Sequence, residues 1–239
     1  DSTALLHFLH SLLFRRRDVH LLAITVNEGI SGYRDPAVAR NLAEGLGIPH
    51  VTASFQDRYG TTIDEIVMRK GDALSCSYCG VLRRHLLNSV AREEHATRLA
   101  FGFNLDDEAQ SVLMNVLRGD CARLTRSSLP RKGMVPRIKP FLHIPEREVA
   151  LYSYLKTGRV DTGRCPYSHN ALRAEVRRML NEYAWDHPGT RHALVNLGEE
   201  LSVRGVAQGN MLHTCERCGE PCGEVCRSCQ ILSEVTHGS

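Results

Sequence analysis

Apolar residues recur at helical spacing from Ser2 to about Phe14, and Arg15-Arg16-Arg17 closes that segment where cations suit a helix dipole. Val19 to Val26 is a short apolar run rich in branched residues, the pattern of a strand buried on both faces. Asp35-Pro36 then offers a cap and a first-position proline, and Gly47 a stop. Between them Val38, Ala39, Leu42, Ala43 and Leu46 give a predicted helix one apolar face. Ile48 to Phe55 reads as a second strand. A helix is predicted after Cys79, through Leu86, Leu87 and Val90, followed by a strand over Thr97 to Phe103. The next helix opens at Asp106, with Ala109, Val112, Leu113, Val116 and Leu117 as its stripe. Ser127 to Pro140, punctuated by Pro130, Gly133, Pro136 and Pro140, reads as a loop-like excursion. A further helix is expected over Arg191 to Val203, before a cysteine-rich tail.

Strands alternating with helices of this length imply right-handed crossovers and a parallel sheet, so the expected class is α/β and doubly wound. Ligands in such sheets bind beyond the carboxyl ends of the strands. Here those ends carry Thr25-Val26-Asn27-Glu28-Gly29 and Gly102-Phe103-Asn104-Leu105-Asp106-Asp107-Glu108, and both loops are expected to face one site. The chain starts at Asp1-Ser2, already in the first turn of a helix with no strand before it, so a preceding segment is expected to be missing.

Composition narrows the class. A chain of 239 residues, 42% of them hydrophobic, can bury one substantial core and carry a small appendage. Its net charge of +3 is mild, so affinity for nucleic acid must come from a local patch. No apolar run approaches the roughly 18 residues of a membrane span, and no secretory signal is visible. The expected compartment is therefore cytoplasmic. The nine cysteines then sit under reducing conditions, where clustered thiols hold metal more often than they form disulfides.

Two cysteine groups follow. Cys76-Ser-Tyr-Cys79-Gly-Val-Leu-Arg83-Arg84 sets two thiols beside fixed positive charge, and Cys165 stands alone in Gly163-Arg164-Cys165-Pro166. Three such thiolates suit an iron–sulfur cluster with one iron left open. A redox CxxC beside an unrelated buried cysteine fits the same spacing, which alone leaves both open. At the C-terminus, Cys215, Cys218, Cys226 and Cys229 form two CxxC pairs in a short Gly/Pro-containing stretch, the signature of a tetrahedral structural zinc site. Cys222 reads as a bystander, Cys121 as a small buried hydrophobe and Trp185 as packing. The twelve histidines form no metal-binding array.

Asp106, Asp107 and Glu108 ordinarily complement a helix dipole. At a strand-to-helix handover one of them can also hold Mg²⁺ or act on a substrate proton. Arg118, Arg123, Arg126, Arg131, Lys132, Arg137 and Lys139 crowd a Gly/Pro-rich stretch opposed by Asp120 alone, which favours phosphate contact with a polyanion such as RNA.

Taken in order, Asp1-Ser2 followed by a helix, Asn27-Glu-Gly-Ile-Ser-Gly-Tyr33, Cys76-Ser-Tyr-Cys79-Gly, Gly102-Phe-Asn-Leu-Asp-Asp-Glu108, Cys165-Pro and the terminal knuckles resemble the PP-loop ATP pyrophosphatase family of tRNA 2-thiolation enzymes, the TtuA/NcsA family. The run Val112 to Arg126 is most similar to its archaeal and eukaryotic cytosolic branch, which acts on the wobble uridine; the branch acting on the T-loop uridine matches less well there. The resemblance implies an adenine nucleotide alpha hydrolase-like PP-loop fold with a small C-terminal helical and zinc-knuckle region. Residues 1–145 would form the catalytic domain, 146–208 a helical region supplying the third cluster cysteine, and 209–239 the knuckle. It also implies ATP with Mg²⁺, adenylation of uridine C2, and sulfur transfer through a [4Fe-4S] cluster on Cys76, Cys79 and Cys165. Arg83 and Asp107 fall on catalytic positions, and Asp1, Ser2, Thr25 and Gly102 on nucleotide-lining ones. Partners implied are tRNA, sulfide or a ubiquitin-like thiocarboxylate carrier, and a second copy in a homodimer. The family's usual histidine after Gly102 is replaced by Phe103. A cytidine-thiolating relative and a non-catalytic tRNA-binding paralogue are the competing expectations.

Overall fold

The computed structural model describes residues 1–125, 133–158, 163–170, 172–204, 213–222 and 224–236. Arg126, Arg131 and Lys132 of the basic stretch lie outside them.

The N-terminal half alternates helix and strand. Helix α1 (Ser2–Leu13) leads to β1 (Ala23–Asn27), α2 (Pro36–Gly45) and β2 (His50–Ser54). β1 and β2 run parallel, with Thr25 opposite Thr52 and Asn27 opposite Ser54. α2 starts where expected because the Asp35 carboxylate accepts from Ala37 N at 2.8 Å ahead of Pro36. Three helices follow: α3 (Phe55–Tyr59), α4 (Ile63–Lys70) and the long α5 (Ser75–Glu93). Thr62 and Glu65 close a reciprocal capping box on α4.

β3 (Leu99–Ala100) is shorter than the strand expected over Thr97 to Phe103. Its parallel partner β4 (Arg137–Ile138) lies within the stretch expected to be loop. Leu99 N donates to Pro136 O and Phe101 N to Ile138 O, each at 2.9 Å. Pro136 and Pro140 bracket β4 and have no N–H to donate, so pairing stops almost where it starts. The same prolines disguise the strand in the sequence. A parallel bridge from Asn104 to Phe141 extends this pair. Between β3 and β4 lie α6 (Leu105–Leu117) and α7 (Cys121–Leu124). The described residues thus hold two separate parallel strand pairs among helices, an α/β arrangement.

The second half is helical: α8 (Glu146–Thr157), a 3₁₀ turn over Pro166–Asn170, α9 (Leu172–Asp186) and α10 (Thr190–Arg204). It ends in a hairpin of β5 (His213–Thr214) and β6 (Pro221–Cys222), then α11 (Arg227–Thr236). No described helix is long and apolar enough to cross a membrane.

The main core gathers Ile30, Phe55, Ile63, Ile66, Tyr78, Leu82, Leu86 and Val90 with Ile231 and Val235 of α11. Burying each of the aliphatic side chains stabilises by about 1.5–3 kcal/mol. The C-terminal helix is therefore stitched into the same core as the cysteine-bearing α5. A second cluster, Leu105, Ala109, Leu180 and Val195, binds α6 to α9 and α10. A third packs Ala4 and Leu5 of α1 on Phe141 and Val149.

Several expectations are corrected. α1 ends at Leu13, before the three arginines. α5 starts at Ser75 rather than after Cys79, so the CxxC lies inside the helix. β1 is half-buried along its length rather than fully buried. Cys121 is exposed on a four-residue helix too short to bury it. Trp185 is 85% exposed, because α9 buries Val176, Leu180 and Ala184 and turns the indole outward.

Candidate functional site

The helical CxxC decides the geometry of the first constellation. Positions 76, 79 and 83 fall on one face of α5 at i, i+3 and i+7 spacing, so both thiols and the Arg83 guanidinium share a side. Arg83 Nη2 donates to Cys79 Sγ at 3.3 Å, and Arg83 Nε stands 2.6 Å from Glu28 Oε1. Glu28 is buried at the carboxyl end of β1, where its carbonyl accepts from Ile63 N at 2.9 Å. Gly29 follows with φ +68°, and a Cβ there would lie 2.4 Å from Thr62 Cγ2, so only glycine lets the chain turn here. Burial alone would lower the Arg83 pKa, but Cys79, Glu28 and Tyr33 hold it above its ordinary value.

Cys165 joins this group from the far end of the sequence. Its charge is felt by Cys76, Cys79 and Tyr33. Cys76 Sγ lies 3.4 Å from the carbonyl of Tyr167, two residues beyond Cys165. Tyr167 OH donates to Asp64 Oδ1 at 2.7 Å, and the other oxygen of Asp64 accepts from Ser31 N at 2.9 Å. Asp64 thus latches the Cys165 segment to the loop that follows β1. Burial pushes the Cys79 thiol up to about 11 despite Arg83, and raises Cys76 as well. As free thiols these two stay protonated at neutral pH; as thiolates they need a cationic partner such as a metal centre.

The acidic first turn of α6 divides into two roles. Asp106 is buried, 2.6 Å from Arg191 Nε, and accepts from Glu146 N at 2.8 Å, so it pins α6 to α8 and α10. Asp107 closes a capping box with Asn104 and lies 3.7 Å from Arg173 Nη1. Burial raises the Asp107 pKa, while Arg173 and the Asn104 amide pull against it. Gly102 presses on the start of α1: a Cβ there would lie 3.0 Å from the carbonyl carbon of Asp1. This brings Asp1 and Ser2, at the N-terminus of α1, to the end of β3. Thr25 sits mid-strand on β1 with its hydroxyl 2.9 Å from His50 Nε2.

Positive charge links the two constellations. Arg84, packed over Gly80, has its pKa lowered by loss of hydration and then by Arg137, Arg83 and Arg123. Arg118, Arg123, Arg137 and Lys139 are exposed. Arg123 pairs with Asp120 at 3.1 Å and Lys139 with Glu108 at 2.6 Å.

At the C-terminus the ligand atoms of Cys215, Cys218, Cys226 and Cys229 lie within 4.8 Å of one another, as four ligands of one ion would. Backbone amides of Cys226 and Cys229 donate to Cys215 Sγ at 3.3 Å and Cys226 Sγ at 3.4 Å. Burial would raise the Cys215 thiol, but N–H donation from Cys226, Arg217 and Cys218 brings it down to about 6. Cys222 stays outside this set.

Sequence reading gave no role to Glu28, Tyr33, Asp64, Tyr167 or Arg173. Glu28 and Tyr33 lie inside a motif it did single out. Asp64, Tyr167 and Arg173 meet their partners only through tertiary contacts.

Fold and site define an α/β protein with two cysteines and an arginine on the first turns of one helix, a third cysteine brought near them from a distant segment, and a four-cysteine knuckle packed against the same helix. No protein-family model matches the chain. It is 38% identical to the tRNA 2-thiolation protein NcsA of Haloferax volcanii, over 98% of this chain and 79% of that protein. It is 37% identical to cytoplasmic tRNA 2-thiolation protein 1 of Danio rerio, over 100% of this chain and 72% of that one. Among solved structures, the U34-tRNA thiolase NcsA from Methanococcus maripaludis with its [4Fe-4S] cluster superposes with a TM-score of 0.80 at 35% identity, covering 96% of this chain and 76% of that one. The chain belongs to the family of tRNA 2-thiolation proteins that contains NcsA and cytoplasmic tRNA 2-thiolation protein 1.

Proposed function

We propose that this protein is an ATP-dependent tRNA sulfurtransferase that converts the wobble uridine to 2-thiouridine. The observation that carries the reading is the meeting of Cys165 with Cys76, Cys79 and Arg83 on a chain of this family. The solved relative, whose name specifies U34 and a [4Fe-4S] cluster, supports both the position and the cofactor.

In this reading uridine O2 attacks the α-phosphorus of ATP, which travels with Mg²⁺, and pyrophosphate leaves. A sulfur nucleophile then adds to C2, the C2–O bond breaks, and AMP departs with the original oxygen. Asp1, Ser2, Thr25 and Gly102 line the nucleotide, supported by the close approach of Gly102 to Asp1. Asp107, whose raised pKa makes it a better proton acceptor than an ordinary carboxylate, takes the uridine N3 proton as O2 attacks. Arg83, oriented by Glu28, offsets negative charge at the sulfur centre. Cys76, Cys79 and Cys165 would hold a [4Fe-4S] cluster, a ligand set supported by thiols from two chain segments meeting beside the Arg83 guanidinium. When bound, the cluster supplies a sulfur nucleophile at an iron without a protein ligand. Cys215, Cys218, Cys226 and Cys229 hold structural Zn²⁺, a reading supported by their closure to within 4.8 Å.

The two parallel strand pairs belong, in this reading, to one doubly wound PP-loop sheet. Residues 1–145 form the catalytic domain, 146–208 the helical region and 209–239 the knuckle. Arg118, Arg123, Arg137 and Lys139, with Arg126, Arg131 and Lys132, contact tRNA phosphates, and Arg84 joins them. Sulfide or a ubiquitin-like thiocarboxylate carrier delivers sulfur to a cytoplasmic homodimer. The adenylation step is tested by following nucleotide products under anaerobic conditions. Pyrophosphate should appear only with unmodified tRNA present, and AMP only when the sulfur donor is present as well, one AMP per thiouridine. Release of ADP and phosphate, or AMP release indifferent to tRNA, would overturn the reading.

A further inference from the structure

Phe103 occupies the turn between Gly102, which abuts Asp1, and Asn104, which caps the helix bearing Asp107. A large apolar side chain at such a place is expected to fold inward. It does not: Phe103 stays 43% exposed. Its ring is instead stacked on Phe101, with centroids 5.5 Å apart and planes inclined by 21°. Phe101 is in turn anchored against the Ala91, Leu99 and Val135 cluster. One ring is set in the core and the second is laid flat upon it, so the outer ring is held by its neighbour rather than by burial.

Cations flank the stack. Arg137 Cζ lies 5.6 Å from the Phe101 centroid, and Lys139 Nζ lies 6.0 Å from that of Phe103. Lys139 is tethered to Glu108 at 2.6 Å and sits at the outer limit of a cation–π contact. Arg84 adds charge beside Arg137. An anchored aromatic pair, with a guanidinium over the inner ring and a tethered ammonium at the far limit of contact over the outer one, has the parts of a base-stacking platform. Every nucleobase has a π-face to match it, and the cations meet the phosphates on either side. A lone exposed phenylalanine would carry no such meaning; a near-parallel stack with a cation against each ring does.

We propose that Phe103 is the platform on which a nucleobase stacks while the chemistry proceeds at Asp107. The inference rests on the functional reading above, which supplies two sources of a base, the tRNA and the adenine of ATP. The test compares wild type, Phe103→Leu and Phe103→Tyr in the full-length protein. Affinity for fluorescently labelled unmodified tRNA is read by anisotropy, affinity for ATP by calorimetry, and folding by thermal melting. Removing the ring should weaken binding of one of the two ligands by about tenfold or more, with Phe103→Tyr close to wild type. Loss confined to tRNA assigns the stacked base to RNA, and loss confined to ATP assigns it to adenine. Unchanged affinity for both, or a Phe103→Tyr as impaired as Phe103→Leu, overturns the proposal. Should Phe103→Leu lose its fold, photocrosslinking of 5-iodouridine-substituted tRNA and of 8-azido-ATP to the unmutated protein decides. A crosslink on the peptide holding Phe103 supports the platform, and crosslinks only elsewhere refute it. A wild type that binds neither tRNA nor ATP brings down the functional reading itself, a result distinct from intact binding that ignores the ring.

Discussion

Arg83 shows how much of this site depends on one fork of donors. Its Nε faces Glu28 and its Nη2 faces Cys79, so a single planar group fixes the spacing between the loop after β1 and the cysteine face of α5. Asp107 and Arg173 make the second decisive pair. Burial raises the Asp107 pKa and Arg173 is the largest influence opposing it. If Asp107 works as a carboxylate, activity falls as pH drops through that pKa, so the acid limb lies at higher pH than an unperturbed aspartate would place it. Arg173→Gln removes the opposing charge, raises the pKa further, and should move the acid limb of the rate profile to higher pH. A limb that stays in place in a folded Arg173→Gln protein would remove Asp107 from the proton-accepting role. Arg173 also donates to Ser111 Oγ at 2.9 Å, so melting of the variant must be recorded beside its profile.

At the scale of elements, α5 is the hub. Its N-terminal turns carry Cys76, Cys79, Arg83 and Arg84. Its middle carries Asn88, fully buried, whose amide donates to Glu220 of the knuckle and whose carbonyl accepts from Val135 N at 3.0 Å. Asn88→Ala would leave without partners the buried Val135 amide and one oxygen of the Glu220 carboxylate, whose other oxygen Arg92 still meets. The expected loss is about 3 kcal/mol, from roughly 1–3 kcal/mol per unsatisfied group, read by urea denaturation. A loss within about 0.5 kcal/mol, the range of an ordinary surface change, would show that the contact is incidental.

The third cysteine depends on a different link. Tyr167 is tied through Asp64 to the loop after β1, and that hydrogen bond lifts the Tyr167 phenol to about 12. Tyr167→Phe removes only the hydroxyl. It should lower iron bound per protein on anaerobic reconstitution and favour a three-iron signal in electron paramagnetic resonance, with melting little changed. Full four-iron loading in Tyr167→Phe would mean that Cys165 is placed by other contacts.

These elements also mark what the chain discloses before folding. Cys76, Cys79 and Arg83 are legible as one constellation from their closeness along the chain; that they share a helix face is not, because the helix opens at Ser75 rather than after Cys79. Cap chemistry places α2, and the acidic first turn places the start of α6 to within a residue, while the Asn104 cap itself emerges only in the structure. The Asp64–Tyr167 latch and the Asp107–Arg173 pair are not legible, since their partners are separated by long stretches of chain and only packing introduces them. β4 is hidden for another reason: two residues between prolines carry no strand periodicity.

Across the whole molecule, the knuckle is part of the core rather than an appendage hung from it. Ile231 and Val235 are buried with the α5 residues, and Arg92 reaches Glu220 at 3.3 Å. With the proposed zinc in the knuckle, a chelator should therefore lower the melting temperature of the entire protein in one transition, because the free energy of metal binding is coupled to folding. Loss of the C-terminal structure with the main transition unmoved would show instead an independent module. The charge distribution points the same way as the fold: a net charge of only +3 conceals Arg84, Arg123 and Arg137 gathered with Arg83 beside Cys79.

The central claim is that three cysteines drawn from two distant segments serve one sulfur-transfer reaction on a uridine. It is tested most directly with full-length protein reconstituted without oxygen and incubated with unmodified tRNA, Mg-ATP and sulfide, with the product mapped by mass spectrometry. The account predicts 2-thiouridine at the wobble position, abolished in Cys165→Ala. Absence of thiouridine from a cluster-loaded, ATP-binding wild type, or undiminished thiolation by Cys165→Ala, would contradict it.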